Sequence, residues 1–294
     1  MAIQSRDACR GGQNRSKGAL SHEVSKNSPD VIVCVFAAFN IAIAGSVQYS
    51  GSRANFESDE IIGFSKKIEK ILAERAAAVA IVGRIGRPQS ELPPGIKYTH
   101  TAFWVYSRIQ TPEGTMVPGY AVYNLYQRSD QPDRSDLIQD FPVDFMAGVY
   151  DLKVGIIVPR KALQKRLLAV ISSDTYQRLH NPDYSAIASP YNNRYQNCTE
   201  FVANIIFASI YKTDDMTHIK ATISAWFEPQ PIEASQFKLT LGSLFMPDIK
   251  LDDHNDKPWT ATFSTIAEFL KAENLAEEIL TASSDEPISS FRVE

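Results

Sequence analysis

One stretch limits the fold more than any other: Asn197, Cys198, Thr199, Glu200 and the run after it. From Cys198, the apolar residues Phe201, Val202, Ile205 and Ile206 follow at +3, +4, +7 and +8. That is one apolar stripe at helical spacing, and it must be buried against another element. Asn197 is a favoured N-cap, and Glu200 three residues later suits a bond back to the cap amide. Cys198 then takes the first helical position, where unpaired amides and the positive dipole end lie, a setting that biases a thiol toward thiolate. The competing reading is a buried structural cysteine.

Residues 31–44 (VIVCVFAAFNIAIA) are apolar apart from Asn40 and follow Lys26. The run is too short to span a bilayer comfortably and ends in the small residues Ala42, Ile43 and Ala44. It reads as a secretory signal cleaved near Ala44, the alternative being an uncleaved anchor, with residues 1–44 as extension plus signal and a periplasmic or secreted product that keeps no stable membrane span. Cleavage removes Cys9 and Cys34 and leaves Cys198 as the one cysteine of an exported chain. A lone thiol in an oxidising compartment has no disulfide partner in its own chain, so it is either inert or reactive.

Residues 1–44 carry five of the 30 Lys and Arg and three of the 34 Asp and Glu, so the remainder stays acidic. With no Lys/Arg-rich run, nucleic acid is a poor partner. The remainder reads as a single domain over residues 45–280, with a flexible tail over 281–294. A helix is expected over 58–78, capped by Ser58, and a buried strand over 78–84. Two β-branched, aromatic strands at 98–109 and 120–127 form a hairpin. Period two puts His100, Ala102 and Trp104 on one face of the first, and Val122, Asn124 and Tyr126 on one face of the second. Residues 129–144 hold five aspartates and read as a solvated loop, lacking the spacing and glycine of a calcium site. A strand at 150–158, a helix from Pro159 to about 172, a long loop over 173–194, a strand at 259–263 and a helix from 266 capped by Thr265 complete the chain.

A thiol nucleophile needs a base within reach and a third group to orient that base. His180, His218 and His254 fall in turns or polar loops and read as surface residues. His100 stands on an apolar-aromatic strand, where an idle polar side chain is costly. Asn124 is the polar residue of the second strand and is placed to fix the ring of His100. Both also admit purely structural readings. The loop of Asp252, Asp253, His254 and Asp256 matches no known metal-ligand spacing, and no glycine loop for a nucleotide is present, so neither metal nor cofactor is expected.

The order of a His-bearing strand (YTHTAFWV), a strand bearing YNLYQ and RYQNCTEFV opening a helix resembles the bacterial family called domain of unknown function 2145. That family is similar to the circularly permuted branch of the NlpC-type papain-like superfamily, in which His precedes Cys. The resemblance spans about residues 56–226. It implies an α+β fold with the Cys-bearing helix packed on an antiparallel sheet. It also implies a thiol hydrolase or acyltransferase: Cys198 attacks a carbonyl of a peptide or acyl substrate, His100 is base and then acid, Asn124 orients it, and Asn197 or Gln196 helps hold the oxyanion. The other class is a non-catalytic binding or structural module that keeps the fold.

Overall fold

The computed structural model describes residues 55–290 apart from 113, 234–248 and 256. The proposed signal segment lies outside the described residues. Helix α1 (Ser58–Glu74) leads into strand β1 (Val79–Ile85), then β2 (His100–Gln110), β3 (Met116–Gln127) and β4 (Ser135–Asp140). Helix α2 (Pro142–Met146), β5 (Asp151–Pro159), α3 (Lys161–Ile171) and α4 (Asp174–Arg178) follow. Then come α5 (Cys198–Tyr211), α6 (Met216–Trp226), β6 (Gln230–Pro231), β7 (Trp259–Thr260), α7 (Phe263–Ala272), β8 (Ala276–Ser283) and β9 (Ser289–Ser290).

Seven strands form one antiparallel sheet in the order β4-β3-β2-β1-β5-β8-β9, so the protein is α+β, and β6 pairs with β7 in a separate two-stranded ribbon. Helices cover both faces. Ala80, Val82, Ala102, Trp104 and Val122 pack with α1 and α2. Ile81, Phe103, Val105, Tyr123 and Leu125 pack with α3, α5, α6 and α7. Coverage on both sides explains why β1 reads as an unbroken apolar run: all seven of its residues are buried. The helix opened by Cys198 lies on β2 and β3 through Phe201, Val202 and Ile205. Among the described residues, no helix is long and apolar enough to cross a membrane.

Several sequence expectations need correction. The cap of α1 is Glu57, whose amide bonds the Glu60 carboxylate, and the helix stops at Glu74 because Ala76 takes a left-handed conformation. The stretch 129–144 is not all loop, since β4 pairs there along the edge of the sheet. Within 173–194, Ser173 caps the short helix α4. Pro159 ends β5 instead of opening a helix. Thr262, not Thr265, caps α7, and Thr265 answers it from three residues on. Within 281–290 the chain is not a loose tail: β8 runs to Ser283 on β5 and β9 adds to β8. Its Leu280 and Ala282 alternate into the core while polar neighbours mask the pattern.

Phe263 lies across a pair of facing glycines, Gly83 and Gly155. A Cβ at Gly155 would stand 2.6 Å from Phe263 Cζ and 2.9 Å from Tyr98 Cζ, in a ring pair packed at 4.7 Å between centroids. Gly155→Ala is therefore expected to destabilise the fold by about 1–3 kcal/mol through overpacking. Adding Phe263→Leu in the same chain should recover part of that loss, as urea denaturation of the two variants would show.

Candidate active site

The β2–β3 ladder runs from Gln110↔Met116 to Phe103↔Tyr123 and stops there. Below it β2 stays paired with β1, through Thr101↔Gly83 and His100↔Arg84. β3 stays paired with β4, through Asn124↔Ile138 and Tyr126↔Asp136. The sheet thus splits between β2 and β3, and the polar residues of both strands collect at the split.

His100 Nε2 lies 3.0 Å from Asn124 Oδ1, joining two of the residues singled out in the sequence. Asn124 Nδ2 donates to Asp140 Oδ1 at 2.7 Å, and the Tyr126 hydroxyl donates to Asp140 Oδ2 at 3.0 Å. When ionised the carboxylate can only accept, so it then fixes which end of the Asn124 amide meets the ring. The oxygen faces His100, Nε2 carries the proton, and Nδ1 keeps its lone pair. The ring stacks on Tyr126 at 4.8 Å and packs against Phe145. Arg84, opposite on β1, donates to the Phe145 carbonyl with its guanidinium over that ring. Burial, helped by the Arg84 charge and opposed by the Asn124 bond, lowers His100 to about 3. Burial raises Asp140 to about 7. The Tyr126 bond opposes that rise, Asp144 adds to it, and Arg84 and Asn124 also oppose it.

Cys198 approaches from the other face, at the first turn of α5. Asn197 caps that helix as expected, its Oδ1 accepting from the Glu200 amide at 2.9 Å. Glu200 does not bond back to the cap; its carboxylate accepts from Asn204 and Lys220. Cys198 as a whole residue is 7% exposed. Burial pushes it above its ordinary pKa, outweighing the amides of Thr101, Thr199 and Cys198 and the charge of Arg84. The expected bias toward thiolate is thus reversed, because desolvation exceeds what the helix terminus supplies. The Thr101 amide that faces the sulfur belongs to the residue after His100. Among the described residues, no hydrogen bond joins Cys198 Sγ to the His100 ring.

The Gln196 and Asn197 side chains bond the loop before Cys198. Gln196 Nε2 donates to the Leu179 carbonyl at 3.1 Å while its Oε1 accepts from the Asn181 amide at 2.8 Å. Asn197 Nδ2 donates to the Ala186 carbonyl at 3.1 Å and to Thr260 Oγ1 at 3.2 Å. Both amides thus hold the loop before Cys198 in place. His218 is exposed. His180 is half-buried against Ser135 Oγ at 3.1 Å. His254 is a buried clasp and not a surface residue: Nε2 meets the Ile187 carbonyl at 3.0 Å and Asp253 Oδ1 at 3.2 Å, and Nδ1 accepts from the Trp259 amide. Among the described residues, no group of three or more His, Cys, Asp or Glu is arranged to hold a metal.

Arg84 and Asp140 escaped the sequence reading. A basic residue inside the apolar run AVAIVGR was a usable signal for Arg84, since a buried charge needs a reason. Asp140 was one of five aspartates in a polar stretch, and nothing local separates it from the others.

No curated protein matches the chain, and no solved structure matches it. One family model does, over residues 71–270, that of the uncharacterized proteins conserved in bacteria designated DUF2145. With a match over so much of its length, and a His-bearing strand and a Cys-bearing helix meeting one split sheet, the chain belongs to this family.

Proposed function

We propose that the protein is an exported thiol hydrolase or acyltransferase that opens an amide or ester bond of a peptide or acyl substrate on a circularly permuted papain-like fold. The observation that carries this reading is the chain from His100 through Asn124 to Asp140, which leaves His100 Nδ1 as a proton acceptor. His100 is neutral and the thiol is protonated at rest. The ring packs on the α2 face and the thiol lies on the α5 face, so this reading requires the proton to cross the split between β2 and β3 to reach Nδ1 as the sulfur attacks, which is general-base catalysis and not a preformed ion pair. The imidazolium then protonates the leaving group, and water or a second acceptor releases the acyl group.

A non-catalytic module is the second reading. The burial of Cys198 and of His100, which is 2% exposed, favours it, as do their places on opposite faces of the sheet and the weak basicity of an imidazole lowered to about 3. Iodoacetamide labelling of the native protein separates the two, with intact mass reporting whether the chain begins after Ala44. The hydrolase reading expects labelling without denaturant, rising with pH, and slowed about tenfold or more by His100→Gln, in line with the contribution of a positioned base. Labelling seen only after denaturation, with no effect of His100→Gln, would leave the module reading in place.

A further inference from the structure

Asn197 spends both N–H groups of its amide, and Gln196 one of its two, on the loop around Cys198, so neither side chain is given over to the oxyanion of an acyl transfer there. The backbone supplies part of the need, since the Cys198 and Thr199 amides face the thiol. A second kind of donor lies across the split. Thr101 is 1% exposed, and its Oγ1 has no hydrogen-bond partner among the described residues. A buried hydroxyl without a partner is costly and uncommon, and it calls for an explanation. Its position supplies one. Thr101 is two residues from Phe103, whose side chain packs on the α5 face, so strand alternation turns the Thr101 side chain to the face from which Cys198 approaches. The β3 ladder has already ended at Phe103, and the Thr101 amide turns to the sulfur instead.

We propose that the Thr101 hydroxyl is an oxyanion donor for acyl transfer at Cys198. The inference rests on the hydrolase reading above. With p-nitrophenyl acetate as probe, the Cys198 proton crosses the split to His100 Nδ1, as the hydrolase reading requires, and the Sγ–C bond forms. The carbonyl π pair moves to oxygen, where Thr101 Oγ–H and the α5 amides hold it. The pair then returns, the C–O bond to the aryl group breaks, and p-nitrophenolate leaves an acetyl thioester on Cys198. Water later releases acetate, and the imidazolium proton goes to solvent.

Alkylation by iodoacetamide displaces iodide at a saturated carbon and forms no oxyanion. Comparing the two reactions isolates the hydroxyl from the thiol. Thr101→Val is expected to slow p-nitrophenolate release about 100-fold while alkylation stays within about twofold, and Thr101→Ser should restore release. The thermal midpoint of Thr101→Val should be unchanged or higher, because a methyl replaces an unpartnered hydroxyl. Release from Thr101→Val at the wild-type rate would overturn the assignment and leave the hydrolase reading intact. Equal slowing of release and alkylation would also overturn it, marking Thr101 as structural support for the thiol. If Cys198→Ala releases p-nitrophenolate as fast as wild type, the hydrolase reading falls and the inference falls with it.

Discussion

Lys220→Met is expected to remove about 3–5 kcal/mol of stability at neutral pH, the usual consequence of stranding one member of a buried ion pair. The Glu200 side chain is fully buried and that of Lys220 is 8% exposed. Lys220 Nζ bonds Glu200 Oε1 and also donates to the Pro190 carbonyl at 3.2 Å, tying α6 to the first turn of α5 and to the loop before Cys198. Burial raises the pKa of Glu200, and the Lys220 charge and bond oppose that rise. Without Lys220 the opposition is gone and the carboxyl protonates more readily. The deficit should therefore shrink as pH falls, because the protonated acid needs no counter-charge, and should grow again toward neutral pH. The double variant Lys220→Met with Glu200→Gln should recover most of the loss, since a neutral amide keeps an oxygen for Asn204, which now donates to Glu200 Oε1 at 2.9 Å. Urea denaturation of wild type, both single variants and the double variant forms the cycle that measures the pair. A loss below about 1 kcal/mol, the range of exposed pairs, would show that water reaches the carboxylate and that the pair does not hold α5.

This pair also marks where sequence reading reached its limit. The helix from Cys198, its cap Asn197 and the two strands carrying His100 and Asn124 were legible because each rests on a local period or a side chain bonding within three residues. Glu200 was legible as a position but not as a partner, because Lys220 meets it only after α6 folds back. β4 was lost for a related reason. It is an edge strand with alternating polar residues, and Asp140 acquires its role from Asn124 and Tyr126, 16 and 14 residues away in the chain. β8 hid behind Glu277, Glu278 and Ser283, which mask its apolar alternation. The state of the thiol had the opposite sign from the local expectation. A helix terminus is visible in sequence, but the depth to which the sheet buries it is not. The oxyanion candidates Gln196 and Asn197 precede Cys198 directly, and only their partners across the loop revealed that these side chains brace it.

Asp140→Asn is expected to turn a nearly level contribution of this network to the pH–stability profile into a steep one. His100 titrates at about 3 in the fold against 6.5 ordinarily, so between those values the unfolded chain holds a proton that the folded chain does not. Stability from this group is fully present above pH 6.5 and is lost as pH falls toward 3, with a slope of about 1.4 kcal/mol per pH unit. Asp140 runs the other way. It titrates at about 7 in the fold against 3.8 ordinarily, so the folded chain holds the extra proton. Its stabilisation is present below pH 3.8 and is lost as pH climbs to about 7. From about pH 4 to 6.5 the two slopes oppose and nearly cancel. Asparagine at 140 keeps an oxygen for the Asn124 amide and removes the falling slope, leaving the rise due to His100. Subtracting the wild-type profile cancels the titration of every other group. The difference, variant minus wild type, should climb by up to about 3 kcal/mol across that window. His100→Gln should give the mirror image, a difference that falls. A level difference for Asp140→Asn, measured by urea denaturation at several pH values, would mean that Asp140 is ionised throughout the window and that Arg84 compensates its burial. The distinction matters for the site, because His100 remains neutral over the whole range. Any loss of thiol reactivity between neutrality and pH 5 that exceeds the falling thiolate fraction then belongs to protonation of Asp140, which releases Asn124 from the carboxylate that orients it, and not to protonation of the base.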